Sequence, residues 1–305
     1  MQRISTHNLF TRGANAMLSQ QAKLSRTQLQ LASGKRVQSP KDDPVAASYL
    51  LDLRGTIQQV GQYQDNNDRA RARLELQDST LQGVDELMPR ILELTIQGQN
   101  DTNTPADRRA IAKELRQIND ELLGLANTKD SNGEYIFAGL KADAPPFSSP
   151  SDGVFTYGGD TGSRSLQVSA SRQVQDRESG FAVFMDIPAS AGAPATGRRN
   201  LFETLHRVIA GLESDNPDPA SLDDLHQAQQ HILDVRASTG ARLNTLEQQS
   251  GVNEGFLFTM RTAQSEVEDL DYAEAVSRFQ QQLLALQAAQ QSFTKVQGLS
   301  LFNYL

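Results

Sequence analysis

Apolar residues along this chain recur at helical spacing, most regularly at its two ends. Near the C-terminus Val276, Phe279, Leu283, Leu286 and Phe293 fall at steps of 3, 4, 3 and 7, the pattern of a coiled-coil seam. Near the N-terminus Phe10, Met17, Leu24 and Leu31 stand seven apart. A helix with one apolar seam must bury it against another helix. The two ends are therefore expected to pair with each other and then to pack against further chains, although an intramolecular helical hairpin alone satisfies the same spacing. One seam does not offset the entropy of ordering its own backbone, so the ends are expected to order as neighbouring subunits add surface.

Between the ends, local signals mark the elements. Ser33-Gly34 predicts a helix stop, since glycine adopts the left-handed conformation that ends helices. In Pro40-Lys41-Asp42-Asp43-Pro44, Asp43 suits an N-cap and Pro44 the first helical position. Leu50, Leu53, Ile57 and Val60, then Leu74, Leu81, Val84, Met88 and Ile91, carry a helix to about Gln97. Unbroken, it would be about 80 Å long at ~1.5 Å per residue, with Pro89 expected to kink it. Thr104 caps a further helix opened by Pro105, with Asp107 facing back to the cap and a stripe of Ile111, Leu115, Ile118, Leu122 and Leu125. Asn132-Gly133 is a hairpin signal before the strand-like Tyr135-Ile136-Phe137.

From Asp143 to Thr196 the chain changes character, with Pro145, Pro146, Pro150, Pro188 and Pro194 and short runs such as Val154-Phe155-Thr156-Tyr157. This predicts a small β-rich insertion. Helical spacing returns at Leu201, Leu205, Val208 and Leu212, breaks at Asn216-Pro217-Asp218-Pro219, and resumes with Ser221 as the expected N-cap. No proline follows Pro219, so Leu222, Leu225, Ile232, Leu243, Leu246 and the terminal seam lie on one long helix or on two in line. The expected fold is mainly α with a small β-rich insertion, an elongated helical bundle with terminal coiled-coil helices. Its expected division is a terminal assembly domain (1–43 and 271–305), a central helical bundle with a β-hairpin (44–142 and 197–270), and a β-rich outer domain (143–196) that neither flanking helix needs.

Charge sharpens this picture. The net charge of the 305 residues is −8, yet nine of the 29 Lys and Arg and none of the 37 Asp and Glu lie in residues 1–41 and 275–305, which leaves −17 for the rest. An acidic centre repels phosphate, so nucleic acid is disfavoured as a partner. The chain has no cysteine, which excludes disulfides and thiolate metal sites. No apolar run is long enough for membrane insertion, and the N-terminus lacks the apolar stretch of a secretory signal. Its acid-free, Ser- and Arg-containing character also fits a mitochondrial transit peptide, a reading that the matching C-terminus weighs against.

Candidate chemistry is sparse. Asp42 and Asp43 beside Pro44 read better as a helix cap than as a catalytic pair. His226 and His231 stand five apart and miss the same-face spacing of a helical zinc site. Gly158-Gly159-Asp160-Thr161-Gly162 lacks the Lys and helix of a phosphate loop and reads as a turn. The amides Gln280 to Gln282, Gln287, Gln290 and Gln291 are either a compositional accident or hydrogen-bond donors across helices. No acid, base, nucleophile or metal constellation emerges, so no enzyme activity and no cofactor are expected. A structural assembly subunit and a secreted adhesin-like binding module, recognising through the β-rich insertion, both remain open.

A resemblance favours the assembly subunit. The stretch Gln28 to Ala47, with Ser33-Gly34-Lys35-Arg36-Val37 and Asp42-Asp43-Pro44-Val45-Ala46, resembles the N-terminal signature of the bacterial flagellin superfamily. Asp107 to Leu115, Leu125-Ala126-Asn127-Thr128 and Asn132 to Gly139 resemble its core helices and hairpin. Phe279 to Ala288 and Ser300 to Leu305 resemble its closing segment. Lys35, Pro40 and Pro44-Val45-Ala46, where filament flagellins usually differ, and Pro145-Pro146-Phe147 are similar to the superfamily's hook–filament junction branch. A flagellin filament subunit is the alternative. The resemblance implies export through the flagellar type III apparatus without a cleaved signal, and a cytoplasmic chaperone bound to the C-terminal helix. It further implies self-association in a ring beyond hook-associated protein 1, with flagellin assembling on the outer face.

Overall fold

Helix forms where apolar residues repeat every three to four positions, and capping side chains fix where it starts. The computed structural model describes residues 3–148, 155–188 and 198–298; Pro150, Val154, Pro194 and the closing segment Ser300 to Leu305 lie outside them. In order, the elements are α1 (Arg3–Ser33), α2 (Pro44–Gln99), α3 (Pro105–Ala126), β1 (Phe147–Ser148), β2 (Thr156–Tyr157), β3 (Ser165–Gln167), β4 (Gln173–Gln175), β5 (Ile187–Pro188), β6 (Arg198–Arg199), α4 (Leu201–Glu213), α5 (Ala220–Glu268) and α6 (Tyr272–Gly298). The fold is mainly α with a small strand-containing insertion.

The caps follow sequence logic with one exception. Asp43 Oδ1 accepts the Ala46 backbone N–H at 3.0 Å, and Pro44 opens α2. α2 runs on through Pro89 to Gln99 as one helix. Thr104 and Asp107 form a complete capping box on α3. At α5, however, Ser221 lies inside the first turn, and Asp218 supplies the capping carboxylate, accepting the Ala220 N–H at 3.0 Å. The Ser221 hydroxyl instead donates to the Asp218 carbonyl at 2.5 Å.

Two units divide the chain, residues 1–59 with 256–305, and residues 60–255. In the second unit, one core gathers Leu81, Met88 and Ile91 of α2, Leu115 and Leu122 of α3, Phe202 and Leu205 of α4, and Leu225 and Ile232 of α5. Phe147, Phe155, Phe184 and Ile187 of the insertion belong to that same core. The expected separate domain over 143–196 therefore gives way to a segment that helps complete the helical core. Its antiparallel strand pairs, β1–β2, β3–β4 and β5–β6, are two or three residues long and too small to enclose a core of their own. A five-residue π-helical turn, Phe181–Met185, drives Val183 and Phe184 inward.

The Asn132-Gly133 turn forms, with Gly133 at φ 82°, but only Lys129 and Tyr135 make a bridge across it. Tyr135 to Phe137 do not extend into a ladder, because Ile136 and Phe137 enter the core instead. The glycine loop at 158–162 is a turn built on Asp160, whose Oδ1 accepts the N–H groups of Leu140 and Gly162 at 2.9 and 2.8 Å. Tyr157, its hydroxyl donating to the carbonyls of Phe137 and Asp160, has a phenol pushed up to about 12, chiefly by burial.

Candidate assembly interface

The first unit brings the chain's two ends together. α1 stops at Gly34 (φ 70°), whose N–H returns to the Gln30 carbonyl at 2.8 Å. The chain then bridges the α5–α6 break: Arg36 N–H donates to the Glu268 carbonyl at 2.7 Å, and Leu270 N–H donates to the Gly34 carbonyl at 3.0 Å. This bridge divides the proline-free C-terminal segment into two helices. Asp271 restarts the second, accepting the Glu274 N–H at 3.1 Å through its carboxylate.

Glu268 anchors the junction. Its side chain is 4% exposed and receives Lys35, Arg54 at 2.7 Å and Gln264 at 2.7 Å. Burial pushes its carboxyl up, but the hydrogen bonds from Lys35 and Gln264 and the charge of Arg54 outweigh burial and hold it below the ordinary range. The adjacent carboxylates singled out in the sequence have separate structural tasks. Asp42 accepts the backbone N–H groups of Gln38 and Ser39 at 3.2 and 3.0 Å and pairs with Arg26 at 2.8 Å. Desolvation raises its carboxyl, and those backbone donors more than reverse the effect. Asp43 caps α2, and the Ala46 N–H holds its carboxyl low.

α1 and α6 pack side by side. Along α1 the covered line runs Gly13, Met17, Gln20, Leu24, Thr27 and Leu31, and along α6 it runs Ala275, Phe279, Gln282, Leu286, Ala289 and Phe293, both in steps of 3 and 4. Met17, Leu24, Leu31, Phe279, Leu286 and Phe293 lie on these lines. Phe293 lies over Gly13 and against Phe10, its ring centroid 5.0 Å from that of Phe10. Val276 and Leu283, also expected in the seam, remain 42% and 39% exposed, because Ala275 and Gln282 take the inward positions. The glutamine is used: Thr27 donates to Gln282 Oε1 at 2.8 Å, and Gln20 Nε2 donates to the Gln282 carbonyl at 3.3 Å. Hydrophobicity alone could not find this polar layer, whereas the 3–4 spacing through Gln20 and Thr27 could. Outside the covered lines, Leu18, Leu29, Val45, Leu51, Phe258 and Leu284 are well exposed.

His226 is exposed and His231 bonds the Ala182 carbonyl through Nε2 at 2.8 Å. Among the described residues no His, Cys, Asp and Glu group is placed to hold a metal, and no helix is long and apolar enough to cross a membrane.

Known proteins with the same features place this arrangement. The profile of the bacterial flagellin N-terminal helical region matches residues 4–142. The flagellar hook-associated protein 3 of Escherichia coli is 33% identical, and that of Salmonella typhimurium 31% identical, each over 99% of this chain and 99% of the relative. The chain belongs to the flagellar hook-associated protein 3 family. A flagellin of Clostridium tyrobutyricum, by contrast, is 29% identical over 45% of the chain. Among solved structures, hook-associated protein 3 from Legionella pneumophila matches 70% of this chain and 98% of its own with a TM-score of 0.64 at 21% identity. FlgL of Xanthomonas campestris matches 69% and 99% with a TM-score of 0.63 at 22% identity, so the fold is shared. Proteins of the hook-associated protein 3 family are structural parts of the flagellum and not enzymes.

Proposed function

We propose that this chain is the junction subunit between hook and filament. It forms a ring that meets hook-associated protein 1 on one side and offers flagellin a surface on the other, and filament assembly and motility require it. The observation that carries this reading is the pairing of α1 with α6, which leaves Leu18, Leu29, Val276, Leu283 and Leu284 exposed in a single chain. Large apolar side chains at this density on one helix pair are the kind of surface that neighbouring subunits cover. The full-length likeness to proteins named hook-associated protein 3 supports the position, and the partial likeness to flagellins argues against a filament role. Before assembly the chain leaves the cell by the flagellar type III route, with a cytoplasmic chaperone covering the C-terminal helix.

Cells lacking this chain test the proposal. They are expected to carry finished hooks, to be non-motile and to release flagellin into the medium, with tagged protein restored at the distal end of the hook. Absence of hooks would move the subunit to an earlier step, and full filaments would refute the junction role. Labelling along the whole filament would favour the flagellin reading.

A further inference from the structure

The second unit contains a cationic pocket with no part in the helix pairing described above. It is a cavity of about 630 Å³ between α2 and the turn at 129–134, with Arg69, Arg73, Lys129 and Arg164 on its walls. Arg73 is the buried member, its side chain 9% exposed. Its Nη2 lies 3.3 Å from Glu134 and its Nη1 3.6 Å from Asp130, while its Nε has no acceptor among the described residues. The same Glu134 oxygen is shared with Arg177, whose Nε is likewise without an acceptor. Arg164 is held by Asp176.

The carboxylates present are already committed. Asp130 Oδ1 accepts the N–H groups of Asn132 and Glu134 at 2.9 and 3.0 Å, and Glu134 Oε2 serves two arginines. Arg69 is exposed and makes no ion pair among the described residues, and Lys129 is exposed with its Nζ 4.7 Å from the centre of the Tyr135 ring. Four cations, Arg69, Arg73, Lys129 and Arg164, thus line the pocket with two carboxylates, Asp130 and Glu134, a local surplus of positive charge in an otherwise acidic region. Burial, and then the neighbouring charges of Arg177 and Arg164, lower the basicity of Arg73, a penalty that a bound anion would relieve.

We propose that this pocket binds a multiply charged oxyanion, with Arg69 and Lys129 as its outer contacts and Arg73 beneath them. Such a group comes either as a free anion of the phosphate type or as carboxylates on the surface of an adjoining chain, and the fork of a guanidinium suits both.

The test uses the full-length protein with inorganic phosphate as probe, followed by thermal melting against chloride at matched ionic strength. Phosphate should raise the melting temperature of the wild type. The double variant Arg69→Gln/Lys129→Gln, which alters exposed side chains only, should need about tenfold more phosphate for the same shift, as expected on losing two surface charge contacts. Lys113→Gln, an exposed change on α3, should behave as wild type. If phosphate has no effect but Arg69→Glu/Lys129→Glu abolishes self-association in sedimentation while melting is unchanged, the anion is carried by an adjoining chain. If neither phosphate binding nor self-association responds, or if Lys113→Gln weakens phosphate as much as the double variant, the site does not exist.

Discussion

Replacing Phe184 with alanine tests whether the insertion is part of the helical core. Phe184 is fully buried, and its ring lies 5.2 Å from that of Phe137, 5.5 Å from Phe147 and 5.7 Å from Phe202, centroid to centroid. These contacts tie the π-helical turn to the segment after α3, to β1 and to α4. Removing a buried phenyl ring costs about 3–5 kcal/mol, which already includes the lost ring–ring contacts. With a urea m-value of about 2–3 kcal/mol/M for a unit of this size, the midpoint should fall by about 1–2.5 M. Far-UV circular dichroism is the assay, because it reads the helices and not the short strands. Phe181→Ala, at a ring 38% exposed in the same turn, should shift the same transition by less than about 1 kcal/mol. An unchanged helical midpoint in Phe184→Ala would mean that the insertion folds apart from the helices. By the same reasoning, excising 145–195 should unfold the second unit.

In the first unit, Gly34→Ala should lower stability by about 1–2 kcal/mol, since Gly34 is at φ 70° and an added Cβ would lie 2.9 Å from the Tyr272 hydroxyl. Faster proteolysis at the α1–α2 turn is the readout. The Glu268 carboxyl titrates below its ordinary value of 4.5 when folded, so its contribution is complete above that pH and is lost as pH falls through the lowered folded value. Chemical denaturation between pH 3 and 7 should show the first unit weakening below about pH 4.5, and Glu268→Gln should flatten that dependence. Thr27→Val with Gln282→Leu should strengthen the α1–α6 pair by up to about 2 kcal/mol while loosening its register, because a polar pair inside a seam specifies alignment at a cost in stability. Double-mutant thermal melts, with cysteine cross-linking between the helices, measure both effects.

What the sequence determined was local. Asp43 before Pro44 and Thr104 three residues ahead of Asp107 each fix a helix start through atoms a few positions apart. Gly34 fixes a helix end in the same way. The six apolar seam residues that face the pair were legible because a 3.6-residue period projects them onto one side. Tertiary structure decided the rest. Glu268 lies 214 positions from Arg54, so nothing in its own neighbourhood marks it as the buried acid of the junction. The break after it depends on the 34–36 segment supplying hydrogen-bond partners from the other end of the chain. Whether Val276 or Ala275 faces α1 turns on a rotation of about 100° between adjacent helical positions, which hydrophobicity alone resolved toward the larger side chain. Packing resolved it toward Ala275, which stands in step with Phe279, Gln282, Leu286 and Phe293 on the covered line and leaves Val276 outward. The Pro- and Gly-rich insertion reads as a separate piece because its strands are short, yet its Phe147, Phe155 and Phe184 are buried among the helices.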